Sequence, residues 1–264
     1  MRIVKKVYRG VVRRISRMNE RPRFDDSELN LNVGAGNNKL PGFISLDVDS
    51  LWYSKRGVSN FRAYNMLSDN LPAEDGSVSN VYCSHVIEHI PNEPVMRFFH
   101  EAYRVLMPGG VLRIACPDAK FLWDVSSFDN SYWRWRDRWF NGEISNKESG
   151  KPVERSSYFI REVATPSCKY YKHRRRDFEY SDEIFNENCL VTLENICKNL
   201  EFDENFPGDH INAWYFDKVK SFGLLAAFSR IVESKRNGSV SFRMQQKEFD
   251  TTCPQMSLYV DLVK

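Results

Sequence analysis

Leu29-Asn30-Leu31-Asn32-Val33-Gly34-Ala35-Gly36 is the stretch on which the fold class turns. Leu29 to Val33 reads as a short strand. The glycines follow at once, where a strand must turn and let a ligand approach its backbone. A Gly-x-Gly pair alone marks many ordinary turns, so its neighbours have to decide. The third glycine of the dinucleotide fingerprint would fall at Lys39, which argues against a pyrophosphate on a closely packed helix. A cofactor without phosphates suits this turn better.

Outward from the turn, Pro41-Gly42 leads into a second apolar strand, Phe43 to Leu46, ending in Asp47 and Asp49. A carboxylate at the end of a second strand can accept both ribose hydroxyls, and Asp47 is the candidate; the bland alternative is a pair of solvated turn aspartates. Ten residues separate Gly36 from Asp47, so about six remain for a crossover that normally needs at least ten. The first crossover is therefore expected to be shortened, its helix missing or reduced to a turn. Six extended residues still reach about 20 Å, enough to return beside a short strand. Asn37 and Asn38 either offer polar contacts there or shape the turn.

Further along, Asn65-Met66-Leu67 precedes a turn-rich run from Leu71 to Gly76, and Ser79 to Ser84 forms the next strand candidate. Glu93 to Met107 carries apolar residues at Val95, Phe98, Phe99, Ala102, Tyr103 and Leu106, a helical spacing that stops before Pro108-Gly109-Gly110. Val111 to Cys116 is a continuous apolar run, as a parallel strand covered on both faces requires. Alternating strands and helices give a doubly wound α/β sheet, whose ligand lies beyond the strand C-termini at the switch point. On that edge the expected cofactor contacts are Gly34, Ala35, Gly36, Asn37, Asp47, Val48, Asn65, Met66, Leu67, Ser84 and His85.

The runs Leu71-Pro72, Asp75 to Val78, Ser84-His85-Val86-Ile87-Glu88-His89-Ile90 and Glu101 to Ile114, closing on Pro117-Asp118, resemble class I methyltransferases. Among these the chain resembles methyltransferases encoded with bacterial surface-polysaccharide genes. The resemblance reaches the C-terminus through His210, Trp214, Phe216-Asp217 and Ser257 to Val263. It implies a Rossmann-like, mostly parallel seven-stranded sheet with an antiparallel C-terminal strand, and S-adenosylmethionine as cofactor. It also implies that Glu88 and His89 organise the loop after the fourth strand. An alcohol acceptor must lose a proton, and a positioned imidazole or carboxylate contributes typically about 10²- to 10⁴-fold to that step. The candidate catalytic groups are His85, Asp118 and His210, with His173 as a further one to test. His85 to His89 also matches the H-x-x-E-H pattern of inverted zinc proteases. Spacing reveals no third ligand, and no metal is expected.

The 264 residues, 42% hydrophobic and 28% charged, can bury a real core and fit one elaborated domain. Met1 to Arg23 holds nine Arg or Lys against the single Glu20, so the net charge of +3 belongs to a tail and the remainder is acidic, about −5. Ile3, Val4, Val7, Tyr8, Val11, Val12, Ile15 and Met18 fall on one face of a basic amphipathic helix over residues 1–24. Such a helix fits an anionic membrane surface through residues 1–23, the domain or a second subunit, or nucleic acid. No stretch approaches the roughly 18 apolar residues of a membrane span. The expected location is cytoplasmic, with peripheral attachment to the inner membrane face if the helix binds lipid. The six cysteines never form a CxxC pair, which excludes a zinc knuckle or redox motif and leaves them as reduced packing residues.

Residues 25–264 are expected to form the methyltransferase domain, interrupted at 119–209 by an insertion too long for a simple loop. There Trp123, Tyr132, Trp133, Trp135 and Trp139 interleave with Arg134, Arg136 and Arg138. Aromatic faces suit a sugar ring and arginines suit acidic groups; equally, the tryptophans pack the lid and the charges are solvated. The leading expectation is O-methylation of a saccharide or glycolipid acceptor in cell-surface glycan biosynthesis. A small phenol, quinone precursor or carboxylate is the second enzymatic reading. A silent fold that binds nucleic acid or a partner is a third. Cys83-Ser84-His85-Val86 stands where many amino-methylating DNA enzymes carry Asn/Asp-Pro-Pro-Tyr, which argues against nucleic-acid bases as the acceptor.

Overall fold

The computed structural model describes residues 28–48, 61–128, 131–144, 153–175 and 179–264. The basic helix expected over 1–24 lies outside them, as does Asp49. Seven strands form one sheet in the order β3-β2-β1-β4-β5-β7-β6. They are β1 (Leu29–Val33), β2 (Ile44–Asp47), β3 (Phe61–Ala63), β4 (Val78–Ser84), β5 (Leu106–Pro117), β6 (Arg230–Ser234) and β7 (Ser257–Val263). β1 to β5 pair in parallel, and β7 runs antiparallel to both β5 and β6. This is the expected mostly parallel seven-stranded sheet with an antiparallel C-terminal strand. The direction of strand addition reverses between β1 and β4, so a crevice opens at their C-terminal ends.

Each face of the sheet has its own cover. On one face, Leu31, Val33, Val81, Cys83, Leu112 and Ile114 meet helix α1 (Asn92–Val105), which buries Val95, Phe98, Phe99, Ala102 and Val105 at helical spacing. Arg104 of α1 donates to the carbonyls of Leu71 and Ala73 and pairs with Asp75, pinning the turn that leads into β4. The helix ends two residues earlier than its apolar spacing predicts, because Leu106 already pairs with Val78. Pro108-Gly109-Gly110 is then a bulge inside β5 rather than a helix stop: pairing with β4 resumes only at Val111.

On the opposite face the first crossover contains no helix, as its length predicted: residues 34–43 are turns. Asn30 and Asn32, both buried, donate to the carbonyls of Gly42 and Asn38 and satisfy that irregular backbone from below. The uncovered sheet is roofed instead by the segment between β6 and β7. Leu40, Phe43, Tyr82, Val111, Met244 and Phe249 form one apolar cluster there. Beside it, Arg113 pairs with Asp250 (2.6 Å) and Asp261 (2.9 Å), all three fully buried.

Between β5 and α6 (Phe216–Leu225) lie α2 (Ala119–Phe128), α3 (Arg134–Ile144), α4 (Arg155–Val163) and α5 (Cys189–Cys197). They gather a second core around Trp123, Trp133, Phe140, Phe159 and Ile196. Trp133 is buried and stacks on Tyr158, and Trp123 packs edge-on to Phe159. Those two tryptophans are packing residues, not an acceptor platform. The six cysteines carry no disulfide. No helix among the described residues is long and apolar enough to cross a membrane.

Candidate functional site

The switch-point crevice begins at the β1 turn. Gly34 (φ +63°) and Gly36 (φ +51°) take left-handed backbone, where an L side chain is strained. A Cβ on Gly34 would meet the Val86 side chain at 2.2 Å, whereas one on Gly36 would meet nothing within 4 Å. The first glycine thus lets the β1 and β4 turns close on each other; the second leaves open space above its Cα. Gly34 and Ala35 both donate to Leu46 O, tying the turn to β2.

Asp47, last residue of β2, is 7% exposed. Its Oδ2 accepts from Gly36 N (2.7 Å) and its Oδ1 from Val48 N (2.8 Å). Burial pushes this carboxyl above its ordinary value, and the two backbone hydrogen bonds oppose that. Tyr64 N donates to Asp47 O, which brings the residues after β3 alongside. There Asn65 closes a turn by accepting Leu67 N, Met66 is buried with its carbonyl on Arg97, and Leu67 packs against the core. Asn37 is exposed at the tip of the first turn. Gly34 to Gly36, Asp47, Val48 and Asn65 to Leu67 therefore form one connected edge. Its geometry fits a nucleoside: an open left-handed turn beside a buried, oriented carboxylate.

β4 ends at Ser84, and His85 follows in left-handed backbone (φ +56°), rare for a non-glycine residue. The imidazole is anchored on both sides, Nε2 at 2.8 Å from Ser257 Oγ and Nδ1 at 3.1 Å from Glu88 Oε1. Ile87 to His89 make a single 3-10 turn, whose Glu88 carbonyl accepts from Ile211 N and Asn212 N. That contact supports an organising role for Glu88. It also carries His210, a residue remote in sequence, to within 4.8 Å of the ligating atoms of Glu88 and His89. His85, the first histidine of the H-x-x-E-H pattern, is not part of that group.

Glu88 is wholly buried. Burial would raise its carboxyl, but the contact with His85 and the imidazoles of His85, His89 and His210 outweigh it and hold the group at about 2. His210 is lowered to about 4, first by burial and then by the neighbouring His89, so it is neutral at pH 7. Asp118 Oδ1 accepts Phe121 N, capping α2, and burial raises its carboxyl. His173 stacks on Phe206 within the insertion.

Among curated proteins no match is found. The chain is similar to a SAM-dependent methyltransferase from Archaeoglobus fulgidus (11% identity, 98% of this chain and 94% of that one, TM-score 0.44). It is similar also to one from Thermotoga maritima (13%, 89% and 82%, TM-score 0.42). Against the S-adenosylmethionine-dependent methyltransferase SibL the figures are 13%, 98% of this chain but 57% of that one, and TM-score 0.42. By sequence, residues 45–114, running from β2 through the Glu88 turn into β5, match the methyltransferase domain family.

Proposed function

We propose that the chain transfers a methyl group from S-adenosylmethionine to an oxygen of a saccharide acceptor during cell-surface glycan synthesis. The observation that carries the cofactor part is the pairing of Gly36 with Asp47: open space over a left-handed glycine, beside a buried carboxylate fixed by two N–H groups. When bound, the cofactor supplies an electrophilic methyl on a sulfonium, which is left behind as a thioether. Asp47 holds the ribose hydroxyls on its remaining lone pairs. The turn after β3, Asn65 to Leu67, flanks the base. His85 takes the proton that the acceptor hydroxyl loses as the new carbon–oxygen bond forms. Alignment and exclusion of water by these fixed groups supply much of the rate.

The saccharide part rests on the sequence resemblance to surface-polysaccharide methyltransferases, and the insertion over 119–209 is assigned to acceptor recognition. Calorimetry with S-adenosylmethionine tests the cofactor reading: the parent chain binds one equivalent, and Asp47→Ala and Gly34→Arg do not. Silence of the parent chain overturns it. Incubation with methyl-labelled cofactor and nucleotide sugars, glycolipids, small phenols or RNA then reads the acceptor. Label in the phenols or RNA alone rejects the saccharide.

A further inference from the structure

Behind His85, the side chains of Glu88, His89 and His210 converge. Both carboxylate oxygens of Glu88 are buried and lack a hydrogen-bond donor, a costly state for an anion unless a positive charge meets it. His89 Nδ1 lies 3.0 Å from Asp209 O, and His210 Nδ1 lies 2.5 Å from Glu162 O. A carbonyl only accepts, so each ring carries its proton on Nδ1 and, when neutral, shows a lone pair at Nε2. Nε2 of His89 lies 3.9 Å from Glu88 Oε1. Ser257 Oγ donates to Cys253 O at 2.8 Å and so accepts from His85 Nε2. In its neutral form His85 would then turn a bare Nδ1 toward the same carboxylate, at 3.1 Å. With the rings neutral, no hydrogen bond reaches either oxygen of Glu88.

We infer that Glu88, His89 and His210 bind one divalent transition-metal ion of the zinc class, between the β4 turn and the segment that returns from the insertion. The donor set is two imidazoles and one carboxylate, a combination that suits zinc and differs from the all-oxygen cages of calcium and magnesium. Both histidines are oriented through Nδ1 by a main-chain carbonyl, as metal-bound histidines regularly are. Zinc bonded at about 2.0–2.2 Å sets its ligand atoms about 3.4 Å apart. Donor atoms already within 4.8 Å of one another need only a small side-chain adjustment. Three protein ligands leave a fourth position open. If the methyl-transfer reading holds, an acceptor hydroxyl in that position would lie beside the bare Nδ1 of His85; metal uptake itself does not depend on that reading.

The test uses the full chain, free of any tag, stripped with a chelator and titrated with zinc by calorimetry and with cobalt by visible absorption. One equivalent should bind, with the intense cobalt bands of a four- or five-coordinate site. His89→Gln and His210→Gln should each weaken binding at least about 100-fold, in samples that circular dichroism shows to be folded. Failure of the folded parent to take up either ion overturns the inference and leaves the His85 contact as the closest side-chain partner of Glu88. Unchanged affinity in the folded variants overturns it equally. Should the variants unfold, the parent's cobalt spectrum decides, and weak six-coordinate bands reject the site. Because these readouts are independent of activity, their failure is distinguishable from failure of methyl transfer.

Discussion

Two glycines two residues apart are held by different constraints. Gly34→Ala drives a methyl into Val86 and must keep φ +63°, so overpacking and backbone strain add, each of order 1–3 kcal/mol. Gly36→Ala meets no protein atom and carries only the left-handed penalty, about 1–2 kcal/mol. Denaturant titration should therefore rank Gly34→Ala as the less stable of the two. Calorimetry should find S-adenosylmethionine binding weakened more than tenfold in Gly36→Ala although the variant stays folded. At Arg113, substitution by Met leaves Asp250 and Asp261 buried without a counter-charge and should cost about 3–5 kcal/mol in the same measurement. The sequence marked both glycines and Asp47 because strand, turn and carboxylate follow one another within twenty residues. Arg113 gave no such signal: its partners lie 137 and 148 residues away, and its strand reads as an apolar run.

Elements were legible wherever one period was unbroken. α1 and β4 stand close to where spacing placed them; Pro108-Gly109-Gly110 did not, since a bulge and a helix stop draw on the same residue types and only the pairing of Leu106 with Val78 separates them. Asp118 shows the same ambiguity at a helix start. A carboxylate at a strand end serves equally as an acid–base group or as a cap, and Phe121 N settles its cap on α2. Asp118→Ala should lower stability by about 1 kcal/mol, and Asp118→Asn, which caps as well, should not. The turnover number should follow neither substitution by more than a few-fold; a loss of about 10² or more in Asp118→Asn would instead assign it a proton-transfer role. Asn30 and Asn32 carry no signal in the sequence, because amides in a short strand look like surface residues until the missing crossover helix exposes the backbone they satisfy.

At the scale of the molecule, the insertion is held together from within by buried charge, α3 to α4. Burial raises the Glu162 carboxyl, but Arg161 and Arg136 outweigh that and hold it below its ordinary value of 4.5. Such a group binds fewer protons folded than unfolded, so its contribution is complete above about pH 4.5 and is lost as pH falls below it. Stability against urea should drop steeply between pH 5 and about pH 3, and Glu162→Gln should flatten that slope while lowering the plateau at neutral pH. The helix-free crossover has a temporal consequence. Its Phe43 rests on Phe249, and Gly42 lies against Arg243, so the turn after β1 finds its permanent support only in a segment synthesised much later. The cofactor loop is made well before the segment that completes it; a nascent chain halted before Phe249 should carry every proposed cofactor-contacting residue and still hold no cofactor.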